Sequence, residues 1–293
     1  MTGPRIGVFD SGMGGLTVLR ALMPRIAGAE YTYLGDTARL PYGSKSKATI
    51  ERYAVSSARF LLSEGADVLV IACNTASALA LDAIREVSAV PVLGVIDPGA
   101  QRAASTSRSG EVAVIATAAT IESHAYAEAC SKRGLRAIEK ACPLLVPLVE
   151  EGWIEHPVTA KVLRIYLDEL DTQAGAAGLK PDTLVLGCTH YPLLRTLIQG
   201  MVQGHMTVID SAEAMAVKVS AAVDEKWLQS EAAVRGELII QAGGSDEQAG
   251  EPDEDEEVSC RFFATDSVDK FRRLGSMFLG QPIDEVALVD LGG

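Results

Sequence analysis

Asp67-Val-Leu-Val-Ile-Ala-Cys73-Asn-Thr75 and Asp182-Thr-Leu-Val-Leu-Gly-Cys188-Thr-His190 say nearly the same thing at two places in the chain. Each opens on an aspartate, runs through β-branched residues and leucine, and ends in a cysteine with polar residues after it. A short apolar run of this kind reads as a buried strand, and the apolar-periodic segment that follows each one reads as a helix. Both cysteines therefore stand at strand-to-helix turns. In an open parallel sheet, ligands bind in the crevice beyond the carboxyl ends of the strands. Two such halves facing each other present two thiols to one cleft, which suits proton transfer on both faces of a single carbon.

Outward from this pair, strands and helices alternate. Strand-like runs are Arg5 to Asp10, Tyr31 to Leu34, Val68 to Ala72, Val92 to Ile96, Val112 to Ala116, Leu135 to Glu139, Thr183 to Gly187 and Met206 to Asp210. Helical patterns cover Lys47 to Glu64, Thr75 to Val87, Ile121 to Arg133, Pro157 to Leu170, Pro192 to Met201, Ala212 to Gln229 and Ser267 to Leu279. The alternation predicts an α/β protein made of two similar doubly wound domains with mostly parallel sheets and the site in the cleft between them. Asp97-Pro-Gly99 and Ile209-Asp-Ser211 follow strands where the chain can cross between halves. This places the first domain in residues 1–97 and 209–293 and the second in 98–208.

Composition narrows the function classes. A hydrophobic content of 48% in 293 residues is ample for real cores. No apolar run reaches bilayer-spanning length, and Met1 to Asp10 lacks a basic segment leading into a signal-type stretch, so a cytoplasmic protein with no membrane partner is expected. Five cysteines, none in a C-x-x-C pair, make neither a disulfide framework nor a structural zinc site. The net charge of −13 argues against nucleic acid, whose phosphates need a basic surface. Much of that charge lies between Gly243 and Glu257, which holds eight carboxylates and no Lys or Arg. Between the strand-like runs Glu237 to Ala242 and Val258 to Ala264, it reads as a long solvated hairpin loop.

The first strand ends in Asp10-Ser-Gly-Met-Gly-Gly15, where glycines and a helix start can cradle an anion. The spacing fits neither a dinucleotide fingerprint nor a P-loop. Asn74-Thr75 and Thr189-His190 double as helix caps and as polar neighbours of the two thiols, and a helix start favours a thiolate. Gly35-Asp-Thr-Ala-Arg-Leu-Pro-Tyr-Gly-Ser44 is a turn-rich loop able to cover the cleft. Glu150 and Glu151, at the end of Cys142-Pro-Leu-Leu-Val-Pro-Leu-Val, read by themselves as a solvated helix face. Cys130, Cys142 and Cys260 lack such a setting and read as structural. Cys188 with His190 also fits a Cys/His hydrolase, although that leaves Cys73 unexplained. A non-catalytic amino-acid-binding protein is a further reading, and all three stand open on the residues alone.

Several motifs together carry a resemblance. They are Ile6-Gly-Val-Phe-Asp-Ser-Gly-Met-Gly-Gly15, Gly35-Asp-Thr-Ala-Arg39 with Pro41-Tyr-Gly43, Ala72-Cys-Asn-Thr-Ala-Ser77, Pro143-Leu-Leu-Val-Pro-Leu-Val-Glu150 and Gly187-Cys-Thr-His-Tyr-Pro192. In these, and in Phe271 to Gly280, the chain resembles the glutamate racemases of the aspartate/glutamate racemase superfamily almost end to end. The acidic segment looks like an insertion, and Asp97-Pro98 stands where Glu-Pro is expected. The resemblance implies cofactor-independent, two-base racemisation of glutamate, a small-molecule substrate, for bacterial peptidoglycan; aspartate is the alternative substrate. It implies Cys73 and Cys188 as the proton-transfer pair, Asp10 assisting Cys73, and Glu150 and His190 assisting Cys188. Implied substrate contacts are Asp10, Ser11, Tyr42, Gly43, Asn74, Thr75, Thr117, Thr189 and His190, with no metal. A homodimer is compatible with it, though no surface stripe marks one.

Overall fold

The structure, a computed structural model, describes residues 3–224 and 259–292. The acidic segment, the strand-like run Glu237 to Ala242 and the end of the helical pattern at Gln229 lie outside the described residues.

Among the described residues the strands form two sheets. The first contains β1 (Arg5–Asp10), β2 (Glu30–Gly35), β3 (Val68–Ile71) and β4 (Val92–Gly94). The second contains β5 (Glu111–Ala116), β6 (Arg136–Ala141), β7 (Thr183–Gly187) and β8 (Thr207–Asp210), and the chain then returns to the first sheet as β9 (Ser259–Ala264) and β10 (Ala287–Leu288). Spatial order is β10-β9-β2-β1-β3-β4 in one sheet and β6-β5-β7-β8 in the other. All of these pairings are parallel. The order β2-β1-β3-β4 thus repeats as β6-β5-β7-β8, the doubly wound α/β arrangement twice over. Because β8 pairs along β7, the second sheet runs to Asp210, past the boundary drawn from the sequence.

Helices α1 (Leu16–Leu22), α2 (Lys47–Ser63), α3 (Asn74–Leu79) and α4 (Leu81–Val87) connect the strands of the first sheet, and α5 (Ile96–Thr106) leads into the second. There follow α6 (Ala118–Glu122), α7 (Ala125–Ser131), α8 (Leu145–Glu150), α9 (Pro157–Ala176), α10 (Arg195–Val202), α11 (212–224) and α12 (Val268–Leu279). α2 buries Ile50, Ala54, Ser57, Ala58 and Leu61, the stripe a period of 3.6 residues requires. α12 does the same with Phe271, Leu274, Gly275, Phe278 and Leu279, and stops at Gly280 in the left-handed conformation. That sets one face of α12 against α1.

Four local readings need correction. The helical pattern from Thr75 breaks at Ala80 into α3 and α4, and that from Ile121 breaks at His124, whose φ is 55°. The strand from Val92 ends at Gly94, and Asp97-Pro-Gly99 is the first turn of α5 instead of an open crossing segment. Proline is tolerated there because the first turn of a helix has no intrahelical partner for its N–H.

β3 and β7 are buried along their whole length, as parallel strands covered on both faces must be. One continuous core includes Val8 and Val70 of the first sheet together with Ile115 and Leu186 of the second. Each such aliphatic side chain contributes roughly 1.5–3 kcal/mol on leaving water. The shared core fixes how the carboxyl ends of the two sheets face each other. No helix among the described residues is long and apolar enough to cross a membrane.

Candidate active site

In both sheets the strand order reverses between the first and third strands in sequence, β1 and β3 on one side, β5 and β7 on the other. Such switch points open a crevice at the carboxyl ends. Asp10 and Ser11 follow from β1, Cys73 from β3, Thr117 from β5 and Cys188 from β7. A narrow pocket lies among them. It is lined by Ser11, Tyr42, Gly43, Cys73, Asn74, Thr75, Thr117, Glu150, Cys188, Thr189 and His190, so nearly every residue singled out in the sequence meets in one place. Leu40, Pro41 and Val146 complete the wall with apolar surface.

Asp10 is the exception. It is completely buried and stands behind the cavity wall instead of lining it. Its Oδ2 accepts the Gly12 N–H at 2.9 Å, and its Oδ1 accepts the Thr189 hydroxyl at 3.5 Å. Burial raises its pKa, against the opposing pull of His190 and of the donors from Gly12, Gly15 and Thr189. Gly15 is required above it, because a Cβ there would stand 2.6 Å from the Asp10 Cβ. Asp10 thus lies beneath the glycine turn, its carboxyl held above the ordinary value by burial.

Cys73 caps α3, its Sγ accepting the Ala76 N–H at 3.4 Å and donating to the Ser11 hydroxyl at 3.4 Å. Burial pushes its thiol up to about 12, the nearby Asp10 adds to the rise, and the Ser11 and Ala76 bonds only partly oppose it. This sulfur is a protonated thiol at neutral pH.

Cys188 has a different neighbour. Its Sγ lies 3.9 Å from Nδ1 of His190, and the Nε2 of that ring lies 3.3 Å from Oε1 of Glu150. Lys270 Nζ approaches the second oxygen, Oε2, at 3.3 Å. Burial alone would lower the imidazole pKa, but hydrogen bonds and charge from Cys188 and Glu150 outweigh it and hold His190 up at about 10. Burial likewise opposes ionisation of Glu150, yet His190 and Lys270 keep its carboxyl below the ordinary value. The ring is also fixed edge-on by Phe278, with centroids 5.2 Å apart.

Polar contacts join the two lobes across the cavity. The hydroxyls of Thr75, Thr117 and Thr120 form a triangle with edges of 2.9, 3.1 and 3.0 Å. Asn74 Oδ1 accepts from the Tyr126 hydroxyl at 2.7 Å, which leaves its buried Nδ2 with no protein partner. A buried donor of that kind on a cavity wall is costly unless a ligand acceptor meets it. Tyr42 lines the cavity with its ring, because its hydroxyl is bonded to Asp36. Gly43 has no room for a side chain, since a Cβ would come within 2.7 Å of Thr117. Among the described residues no group of three or more His, Cys, Asp or Glu side chains is arranged to hold a metal ion.

Sequence reading missed Lys270, Phe278, Thr120 and Tyr126. None has a local signal: each acts on the site only because the fold brings it there.

Comparison with known proteins follows the same lines. The sequence profile of the Asp/Glu/hydantoin racemase family matches residues 15–219. A glutamate racemase of Koribacter versatilis is 52% identical over 99% of this chain and 98% of its own. A crystal structure of a glutamate racemase from Bacillus anthracis superposes with a TM-score of 0.82 at 33% identity, covering 99% of both chains. One from Francisella tularensis, solved in complex with D-glutamate, gives 0.80 at 32% identity, again over 99% of both.

Proposed function

The chain belongs to the Asp/Glu/hydantoin racemase family, among its glutamate racemases, and on that premise we propose that it interconverts L- and D-glutamate through the two cysteine sulfurs. The observation that carries the reading is the placement of Cys73 and Cys188 at the ends of equivalent strands, β3 and β7, on the wall of one cavity. An amino acid held between them meets one sulfur on each face of Cα.

One sulfur, as thiolate, takes the Cα proton, and the other, as thiol, delivers a proton to the opposite face. The Cα–H bond breaks, the electron pair spreads into the α-carboxylate, and the new Cα–H bond forms from the opposing S–H. Cys73, held protonated, is the donor in the state described. Cys188 faces the His190 imidazolium, which supplies positive charge to a sulfur anion. When the reaction runs the other way the roles exchange, with Asp10 the carboxyl beside Cys73 and His190 with Glu150 the pair beside Cys188. The unpartnered Asn74 amide and the threonine hydroxyls are donors placed for carboxylate oxygens, where negative charge grows in the transition state. No step in this scheme needs a cofactor. The product D-glutamate would serve peptidoglycan synthesis in the cytoplasm.

The test is incubation with pure L-glutamate and pure D-glutamate in D2O, with no cofactor added, following optical rotation and Cα deuterium. Both enantiomers are expected to reach the same racemate with solvent deuterium at Cα in the inverted product. Inversion without solvent exchange, or activity on aspartate in preference to glutamate, overturns the reading.

A further inference from the structure

α12 reaches the site from the far end of the chain, after residues 225–258, and its Lys270 and Phe278 meet the Glu150–His190 pair on the Cys188 side. Lys270, in its first turn, holds Glu150 Oε2 at 3.3 Å while Glu150 Oε1 stays 3.3 Å from His190 Nε2. Phe278, two turns further along, seats the same imidazole. Lys270 does not line the cavity, so it acts only through Glu150. The carboxylate is a two-ended clamp: with both oxygens engaged it cannot rotate away from the ring. Side-chain exposure is 38% for Lys270 and 13% for Glu150, so the lysine also keeps part of its stem in solvent.

We infer that Lys270 is a positioning residue for the Cys188 half of the reaction, fixing Glu150 so that Glu150 fixes the His190 ring against the Cys188 sulfur. The inference rests on the two-base reading given above. The titratable and charged groups that face the Glu150–His190 pair are Cys188 at the end of β7, Asp10 at the end of β1 and Lys270 on α12. Of these, Lys270 alone carries a positive charge. It favours the ionised Glu150 and competes with the imidazolium for that charge. Removing it therefore lets Glu150 take up a proton at higher pH and leaves the whole carboxylate charge to His190, which then keeps its proton to higher pH. Both limbs of the pH profile move the same way.

The experiment compares the full-length wild type with Lys270→Met and Lys270→Arg. Lys270→Met is expected to shift both limbs of the kcat/KM profile upward by about half a pH unit, as for a partly exposed ion pair, which is about threefold lost on the acid limb. L- and D-glutamate have equal free energy, so kcat/KM must fall equally in both directions; Cα-deuterated substrates show which half has slowed. The isotope effect should rise for the enantiomer deprotonated by Cys188 and fall for the other, and Lys270→Arg should restore both profile and isotope effects. A lysine that only props the helix would change melting temperature but neither of these readouts. A wild type that exchanges Cα hydrogen alongside a Lys270→Met that matches it at every pH refutes this inference alone. A wild type that exchanges none refutes the two-base reading itself.

Discussion

Cys73 closes β3 and Cys188 closes β7, strands that hold the same place in their two sheets, yet their surroundings are opposed. Around Cys73 there is no cation among the described residues: burial and the Asp10 carboxyl hold the thiol neutral against the partial opposition of a serine hydroxyl and a backbone N–H. Around Cys188 there is a charged chain, imidazolium to carboxylate to ammonium. A repeated fold has thus delivered two sulfurs to one cavity without delivering a symmetric site. Symmetry in the backbone supplies the opposed approach to Cα, whereas asymmetry in the side chains gives each sulfur its own electrostatic surroundings.

The largest effects should come from the sulfurs themselves. Cys73→Ala and Cys188→Ala are each expected to lower racemisation by about 10²- to 10⁴-fold, the range for loss of a positioned acid or base, while the circular dichroism spectrum stays native. Full turnover by either variant would discard the two-sulfur scheme, whatever the second sulfur's surroundings.

Next come the assisting groups, where the comparison is most exposed to failure. Glu150→Gln weakens a charge-assisted hydrogen bond of about 1.5–3 kcal/mol, so a loss of roughly 10- to 100-fold is expected, and Asp10→Asn is expected to act on the Cys73 side over a similar range. Measured with Cα-deuterated substrates, the two variants should displace the isotope effects in opposite senses between L- and D-glutamate. Displacement in the same sense would mean that the two groups serve one proton path instead of two.

How far the site was legible follows from how local its causes are. Cys73 and Cys188 stand out because strand, cysteine and cap lie within nine residues and occur twice. Asp10 could be placed at a strand end, but its burial beneath Gly12 and Gly15 could not, since it depends on the glycine turn folding back over its own strand. Lys270 meets Glu150 across 120 positions, and nothing in either segment points to the other. Thr120 looks like an unremarkable helix residue until α3 and α6 bring three hydroxyls together. The α/β class and both sheets were readable from apolar runs, whereas the start of α5 was not, because an Asp-Pro-Gly sequence suits a turn and a helix start equally well.

A smaller effect separates the two sides through stability. The folded His190 imidazole sits at about 10 against an ordinary 6.5, so the folded state binds the extra proton between those values. The stabilisation is fully present below about pH 6.5 and is lost as pH rises towards 10. Urea midpoints for wild type and His190→Asn should therefore converge as pH is raised through this window. Curves that run parallel would show that the ring is held by packing against Phe278 rather than by charge.

The smallest expected effect belongs to the seam between the halves. Thr120→Val removes one corner of the hydroxyl triangle and keeps the side chain's shape, while Thr75 and Thr117 still meet at 2.9 Å. One neutral hydrogen bond is worth about 1 kcal/mol, so KM for glutamate should rise about fivefold with kcat little changed. Because the triangle belongs to neither sulfur, the isotope effects for L- and D-glutamate should keep their wild-type ratio. A skewed ratio would place Thr120 on one proton path, and the division of the site into two electrostatically distinct ends would have to be redrawn around it.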